Sequence, residues 1–319
     1  MEEMVRRVLQ GDRRAASRVM RWLDDEDPRG VEVLKALYLK RKPAFIVGIT
    51  GIPGAGKSTL ISSMIRVMRK EKGLNIGVVA VDPTSPFTGG AILGDRVRMQ
   101  EHALDSGVFM RSLATRGQTG GLSAAAAKVM SVMEAMGFDP IFLETVGVGQ
   151  DEVDVASYAH ITVVVMAPGT GDQIQAIKAG ILEAADIIVV NKADRPGAEK
   201  TYKDLVTALE LTPGEHFQSK EILSVSAATG QGIRELVERL LERRKEMKES
   251  SEFSRALMKR EKRIVRDYAY SRAVEAVDAL LESDEEVQRV LEGIFHGDAD
   301  PFSAAEEISA RLFRTPRHG

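Results

Sequence analysis

Gly51-Ile-Pro-Gly-Ala-Gly-Lys-Ser58 restricts the architecture open to this chain more than any other segment. It lies between an apolar run, AFIVGI (44–49), and a stretch of helical periodicity over 58–71. A G-x-x-x-x-G-K-S turn in that strand–loop–helix setting gathers backbone N–H groups around phosphate oxygens, and the helix N-terminus adds a favourable field. Lys57 is placed to reach the β- and γ-phosphates of a nucleotide, and the Ser58 hydroxyl to ligate a magnesium ion. Gly51, Pro53, Gly54, Ala55 and Gly56, with Lys57, Ser58 and Thr59 at the helix start, are the expected phosphate-binding residues.

Such a loop needs a sheet behind it. Short apolar runs recur at IGVVAV (76–81), VFM (108–110), IFLE (141–144), ITVVVM (161–166), IIVVN (187–191) and ILSVS (222–226), with helical stretches at 122–136, 172–184 and 231–247. Several runs are apolar at successive positions, as parallel strands covered on both faces are. The expected fold is α/β: a P-loop NTPase with a doubly wound, mostly parallel sheet over 43–245, its ligands at the carboxyl ends of the strands. Residues 1–42 read as an N-terminal helical arm. Val5, Val8 and Leu9 share a face, Gly11-Asp12 ends that run and caps the next, and Asp27-Pro28 supplies another cap with a first-turn proline.

From 246 to 319 the pattern is helical again, with Phe253, Leu257, Ile264, Tyr268, Val274, Val277 and Leu281 compatible with one stripe. Residues 239–272 carry 12 basic and 6 acidic side chains, whereas 273–319 carry 4 and 11. Adjacent opposite charge favours helices that pair with each other or with a second copy over a nucleic-acid surface. The whole chain holds 44 Lys and Arg against 47 Asp and Glu, so no global positive field exists to hold nucleic acid. The absence of cysteine excludes disulfides, thiolate metal sites and cysteine nucleophiles together. The longest uncharged stretch, 17 residues between Asp154 and Asp172, includes His160 and Pro168 and falls short of a membrane helix. The N-terminus lacks the apolar core of a signal peptide. A soluble, cytoplasmic protein is expected.

Asn191-Lys192-Ala193-Asp194 follows the run ending at Val190 and resembles the guanine-recognition motif of GTPases. A carboxylate at Asp194 accepts from both the ring N1–H and the exocyclic amine of guanine. Adenine presents an acceptor at N1 and no such amine, and the unmatched polar group rejects it. Ser226-Ala227 resembles the second base-contacting loop, so GTP and GDP are the expected ligands. Glu144 closes IFLE, Asp82 closes IGVVAV, and Asp95 follows the loop 84–90. With Ser58 they offer hard oxygens suited to Mg²⁺, which keeps several waters; each acid can instead cap the element that follows. Gln150, in the pliable run Gly147-Val-Gly149-Gln150, can orient the attacking water or serve only the loop, and its spacing departs from that of Ras-like GTPases. Arg116, in the pliable run 115–122, can meet phosphate, a partner or solvent.

Taken together these segments resemble the MeaB/ArgK family, GTPases that act as chaperones for cobalamin-dependent methylmalonyl-CoA mutase. GITGIPGAGKST (48–59) and NKAD (191–194) are common to many NTPases. VDPTSPFTGGAILGDRVRM (81–99), TRGQTGGLS (115–123), ETVGVGQDEVDV (144–155) and MAPGTGDQIQAIKAGI (166–181) are more particular and occur in the family's order. The resemblance implies a magnesium neighbourhood of Ser58, Asp82, Asp95 and Glu144, and a further switch loop at PGTGDQIQAIKAG. Within that loop Asp172, Gln175 and Lys178 would couple nucleotide state to the partner; from the residues alone, Asp172 is an N-cap and Lys178 an exposed helix residue. Lys57, Asp95, Glu144, Gln150 and Lys178 are the candidate catalytic residues.

The resemblance further implies a homodimer made by the C-terminal helices, and a partner that is methylmalonyl-CoA mutase or a related acyl-CoA mutase. With no D-x-H-x-x-G segment and five scattered histidines, the chain alone is not expected to hold the cobalamin. Two alternatives are a metallochaperone GTPase, which the lack of cysteine and paired histidines disfavours, and an ArgK-like transport-linked ATPase or kinase, which Asp194 disfavours. No residue reads as an autonomous water activator or arginine finger, so turnover is expected to be slow until a partner accelerates it.

Overall fold

In the computed structural model, which describes residues 1–83, 100–115, 121–145, 156–169, 179–212 and 220–314, the apolar runs become a single sheet. Its strands are β1 (Ile46–Gly51), β2 (Ile76–Pro83), β3 (Val108–Thr115), β4 (Ile141–Thr145), β5 (Ile161–Met166), β6 (Ile187–Val190) and β7 (Glu221–Ser224). They lie in the order β3-β2-β4-β1-β5-β6-β7, and every pairing is parallel. Strand β3 runs well past the apolar VFM, because pairing with β2 continues to Pro83 opposite Thr115. Strand β7 stops short of ILSVS, and Val225 and Ser226 belong to the following loop.

Alternation along the strands explains why both faces are covered. Ile46, Ile141 and Leu143 join one core, while Val47, Ile49 and Phe142 join the other. Helices α1 (Glu2–Leu9), α2 (Arg13–Asp24) and α3 (Pro28–Tyr38) add Val8, Met20 and Leu37 to the first core. Helix α4 (Lys57–Lys72) adds Ile61 and Met64 to the second. Helix α5 (Gly121–Ala135) joins the first core through Met130 and Met133. The caps read from sequence are present: Asp12 accepts from Arg14 N and Ala15 N, and Asp27 from Arg29 N. Next come α6 (Ala179–Ala184), α7 (Ala198–Leu211) and α8 (Ile233–Glu249), of which α7 and α8 bury Leu205, Leu236 and Leu240. Each large side chain fully buried in these cores contributes about 1.5–3 kcal/mol relative to exposure.

The described chain forms two compact units, Met1–Ile264 and Val265–Gly319. Helix α9 (Glu252–Ser283) contributes to both. The second unit continues with α10 (Glu285–His296), capped by Asp284, and α11 (Pro301–Arg314), capped by Asp300. Val287, Ala304 and Ile308 form its small apolar centre, whereas Phe295 and Phe302 are 86% and 82% exposed. Among the described residues no helix is long and apolar enough to cross a membrane.

At the amino edge of the sheet, three successive backbone N–H groups lead into β1, and each is met by a side-chain acceptor. Ala44 N donates to Glu134 Oε1 at 2.9 Å, Phe45 N to Asp139 Oδ1 at 3.0 Å and Ile46 N to His160 Nδ1 at 3.1 Å. All three acceptors are held from helices α8 and α9 or the residues before β1. Glu134, fully buried, lies 2.8 Å from both Arg41 and Arg260. Asp139 is paired with Arg244, and the His160 ring stacks on Phe253 with centroids 4.3 Å apart. Because Nδ1 accepts, the imidazole carries its proton on Nε2 and is neutral.

Burial, reinforced by Arg260, Arg244 and Lys248, pushes the His160 pKa down to about 3 from the ordinary 6.5. The unfolded imidazole takes up a proton below about pH 6.5, while the folded one stays neutral until about pH 3. Its contribution is therefore fully present above pH 6.5 and lost progressively as pH falls toward 3. Between pH 7 and pH 5 this group alone should lower unfolding free energy by about 2 kcal/mol. His160→Asn retains an acceptor for Ile46 N and should remove that part of the slope in urea titrations at the two pH values. Glu134→Ala takes the shared carboxylate from two buried guanidiniums, and the same assay at pH 7 should show a loss of about 3–5 kcal/mol.

Candidate nucleotide site

At the carboxyl edge, β1 sits between β4 and β5, with Ile49 opposite Glu144 and Gly51 opposite Val165. Strands β2 and β3 lie beyond β4 on one flank, and β6 and β7 beyond β5 on the other. The end of β1 is thus the switch point where open α/β sheets bind their ligands. Gly51 leaves the strand at φ 132°, and a Cβ there would stand 2.1 Å from Val165 O. Gly56 turns the loop into α4 at φ 90°, and a Cβ there would stand 2.7 Å from Asn191 Nδ2. Neither position admits a side chain without moving its neighbours.

The carbonyls of the loop are tied down by side chains. Lys57 Nζ, buried within the turn, donates to Gly51 O at 2.7 Å and Ile52 O at 3.3 Å. Lys192 Nζ donates to Gly54 O at 2.7 Å, and Asn191 Nδ2 to Ala55 O at 2.8 Å. In a trans peptide the N–H points away from the C=O. Holding Gly51 O and Ala55 O on the protein side therefore turns the N–H groups of Ile52 and Gly56 to the other side, as in an anion nest. Ala55 N closes the turn by donating to Ile52 O at 3.2 Å, and Pro53 has no N–H. Pro53, Gly54 and Thr59 are exposed, and Ala55 and Ser58 are buried beneath them.

Two acidic strand ends flank this turn. Ser58 Oγ donates to Glu144 Oε1 at 2.7 Å, and both residues are buried. Asp82 follows Val81, which pairs with Thr145 at the end of β4, so its backbone reaches the same edge. Thr145 Oγ1 donates to Thr50 Oγ1 at 3.1 Å across β4 and β1.

On the other flank, β6 ends in the turn 191–194. Asn191 N donates to Met166 O and Ala193 N to Val225 O, and Lys192 takes a left-handed φ of 61° that lets its side chain turn back to the loop. Asn191 Oδ1 accepts from Ala227 N at 3.0 Å, so one amide side chain joins the phosphate loop to the Ser226–Ala227 loop. Ser226 Oγ donates to Asp194 Oδ1, and this bond holds the Asp194 carboxyl below the usual carboxylate range. Asp194 is exposed and ionised at neutral pH, an acceptor on both oxygens.

Gly51, Pro53, Gly54, Ala55, Gly56, Lys57, Ser58, Thr59, Glu144, Asn191, Lys192, Asp194, Ser226 and Ala227 thus gather at one edge. Asp95, Gln150 and Lys178, with Arg116, Asp172 and Gln175, lie outside the described residues. Sequence reasoning missed Thr50, Thr145 and Ser63, whose Oγ donates to Ala227 O at 2.8 Å. The available signal was polarity at positions where the strand or helix pattern calls for an apolar side chain.

Residues 16–282 match the family model described as methylmalonyl Co-A mutase-associated GTPase MeaB. A relative from Pyrococcus horikoshii that bears a GTPase name is 43% identical over 315 residues, covering 98% of each chain. The mouse protein named methylmalonic aciduria type A homolog, mitochondrial, is 37% identical over 215 residues, which are 66% of this chain and 51% of that one. A crystal structure of a LAO/AO transport system kinase superposes with a TM-score of 0.68 at 25% identity, covering 98% of this chain and 97% of its own. The glycine-rich loop after β1, the turn that carries Asn191 and Asp194, and these likenesses agree: the chain belongs to the MeaB family of methylmalonyl-CoA mutase-associated GTPases.

Proposed function

We propose that this chain is a Mg²⁺-dependent GTPase whose hydrolysis cycle gates cobalamin loading and protection of methylmalonyl-CoA mutase or a related acyl-CoA mutase. The match of residues 16–282 to a family described by its association with that mutase carries the reading. The name of the mouse relative, which refers to methylmalonic aciduria, supports it. The C-terminal helices over 246–319 are proposed to hold two copies together, in the cytoplasm.

In this reading the loop amides and Lys57 receive the β- and γ-phosphates, and Asp194 accepts from the N1–H and exocyclic amine of guanine. Asn191 and Lys192 hold the loop while Ser226 and Ala227 line the base. The hydroxyl of Ser58 and the carboxylate of Glu144, adjacent hard oxygens, fit a magnesium ion and its waters; Asp82 and Asp95 complete its neighbourhood. Bound there, the ion would neutralise charge developing on the transferring phosphoryl group. Water attacks the γ-phosphorus, the bond to the β–γ bridging oxygen breaks, and GDP, phosphate and a proton leave. Lys57 and the amides stabilise the charge that passes to the bridging oxygen. Gln150 is assigned to orienting the water and Lys178 to acceleration by the partner, so turnover by the chain alone is expected to be slow.

Asp194→Asn replaces two charge-assisted acceptors with one neutral acceptor and a donor. GTP affinity should fall at least about a hundredfold, while binding of xanthosine triphosphate, which carries a carbonyl in place of the amine, should improve. Tighter binding of ATP than GTP by the unaltered protein would overturn the base assignment. Co-purification from the native cell should recover a cobalamin-dependent mutase subunit that accelerates GTP hydrolysis. Recovery of a hydrogenase or urease subunit, or fast turnover by the chain alone, would overturn the mutase role.

A further inference from the structure

Helix α4 carries Ser58, Ser62 and Ser63 within its buried side, each no more than 5% exposed. A buried helical serine commonly satisfies itself by donating to the carbonyl four residues back. Ser131 in α5 does this, Oγ to Ala127 O at 2.9 Å. The serines of α4 donate out of their helix instead: Ser58 to Glu144, Ser62 to Glu101 and Ser63 to Ala227 O. Of these contacts, the one from Ser63 reaches the loop beside the base-recognition turn.

Ala227 is held on both sides. Its carbonyl accepts from Ser63 Oγ at 2.8 Å, and its N–H donates to Asn191 Oδ1 at 3.0 Å. The preceding residue, Ser226, supplies the hydroxyl that donates to Asp194. A hydroxyl on the helix that follows the phosphate loop is therefore two residues and two hydrogen bonds away from the carboxylate expected to read the base. Removing it leaves the Ala227 carbonyl without this donor in a closed interior, since Ala227 is 6% and Ser63 4% exposed. An acceptor so stranded is relieved by a shift of its loop or by entry of water. Either displaces Ser226, and with it the bond that aims Asp194. The carbonyls of the phosphate loop are held by Lys57, Lys192 and Asn191, not by Ser63.

We propose that Ser63 is a specificity-positioning residue, whose hydroxyl fixes the Ser226–Ala227 loop and through it directs the Asp194 carboxylate at a guanine base. The inference rests on the guanine reading given above. It locates part of the discrimination between bases in a side chain that touches no nucleotide.

The test uses the full chain with Mg²⁺ and compares Ser63→Ala, Ser63→Thr and Ser131→Ala with the unaltered protein. Affinities for GDP, ADP and inosine diphosphate, which lacks the exocyclic amine, are measured by titration, and GTP turnover by phosphate release. Ser63→Ala should weaken GDP roughly tenfold but inosine diphosphate only about threefold, narrowing the discrimination between them. KM for GTP should rise with the GDP dissociation constant, and kcat should stay within about twofold. Ser63→Thr keeps the hydroxyl and should restore GDP affinity, while Ser131→Ala, the same change on a self-satisfied serine, should leave both unchanged.

Unaltered GDP affinity in Ser63→Ala, beside an unaltered protein that prefers GDP to ADP, would overturn this inference and leave the guanine reading intact. Equal weakening of GDP and inosine diphosphate with a matching fall in kcat would also overturn it, because that is the signature of general destabilisation. Failure of the unaltered protein to prefer GDP to ADP would overturn both.

Discussion

The site depends on the direction of a few peptide groups. A turn that receives a polyanion must point N–H groups at it, and the carbonyls of the turn must then point somewhere tolerable. Here they point at donors: Lys57 takes Gly51 O and Ile52 O, Lys192 takes Gly54 O, and Asn191 takes Ala55 O. Two of the three donors are cations, so the bonds are charge-assisted and the loop is enclosed by positive charge. The glycines are the other half of the same constraint. At Gly51 and Gly56 the backbone passes so close to Val165 and Asn191 that no Cβ fits. Preorganisation of this kind matters because amides already aimed at a phosphate need no rearrangement when charge develops on it.

A strand that ends in such a turn has to be held at its other end too, or the turn inherits its motion. The amino end of β1 is held by Glu134, Asp139 and His160, each accepting one of three consecutive N–H groups. The partners of these acceptors come from far along the chain, Arg244 from α8 and Phe253 and Arg260 from α9. The charged members are expensive to bury singly, and their cost is offset by pairing: Glu134 lies beside two guanidiniums and accepts from a backbone N–H. Helix α9, which falls in the C-terminal region read from sequence as separate from the GTPase core, therefore begins by fixing the root of its central strand.

The division between what the sequence revealed and what it concealed follows the range of each interaction. The phosphate turn was legible because its chemistry is local: glycines, lysine and serine act within eight consecutive residues. Asp12 and Asp27 were legible as caps for the same reason, since a cap bonds the next few amides. The strands were legible from apolar succession, although their ends were not; β3 extends through Arg111 and Ser112 because β2 lies alongside, a fact about another part of the chain. His160, Glu134 and Ser63 were invisible as organisers. Their partners lie 114, 90 and 164 residues away, and a helix or strand pattern has no term for a polar side chain that finds its hydrogen-bond partner across the fold. What such residues do show in sequence is disagreement with their surroundings, as with two serines placed between Ile61 and Met64.

Asn191 gives the site its unity. Its amide nitrogen holds the phosphate loop and its amide oxygen holds the Ser226–Ala227 loop, so the two halves of a nucleotide pocket share one rigid group. An amide is the side chain suited to this, because it offers a donor and an acceptor fixed in one plane; a carboxylate or an ammonium would satisfy one loop and repel or ignore the other. The consequence is energetic. In a pocket with independent halves, a wrong base would forfeit only its own contacts. With the halves joined, and with Asp194 reading the base as proposed, the loop beside that base is held by Asn191, the same side chain that holds Ala55 O in the phosphate turn.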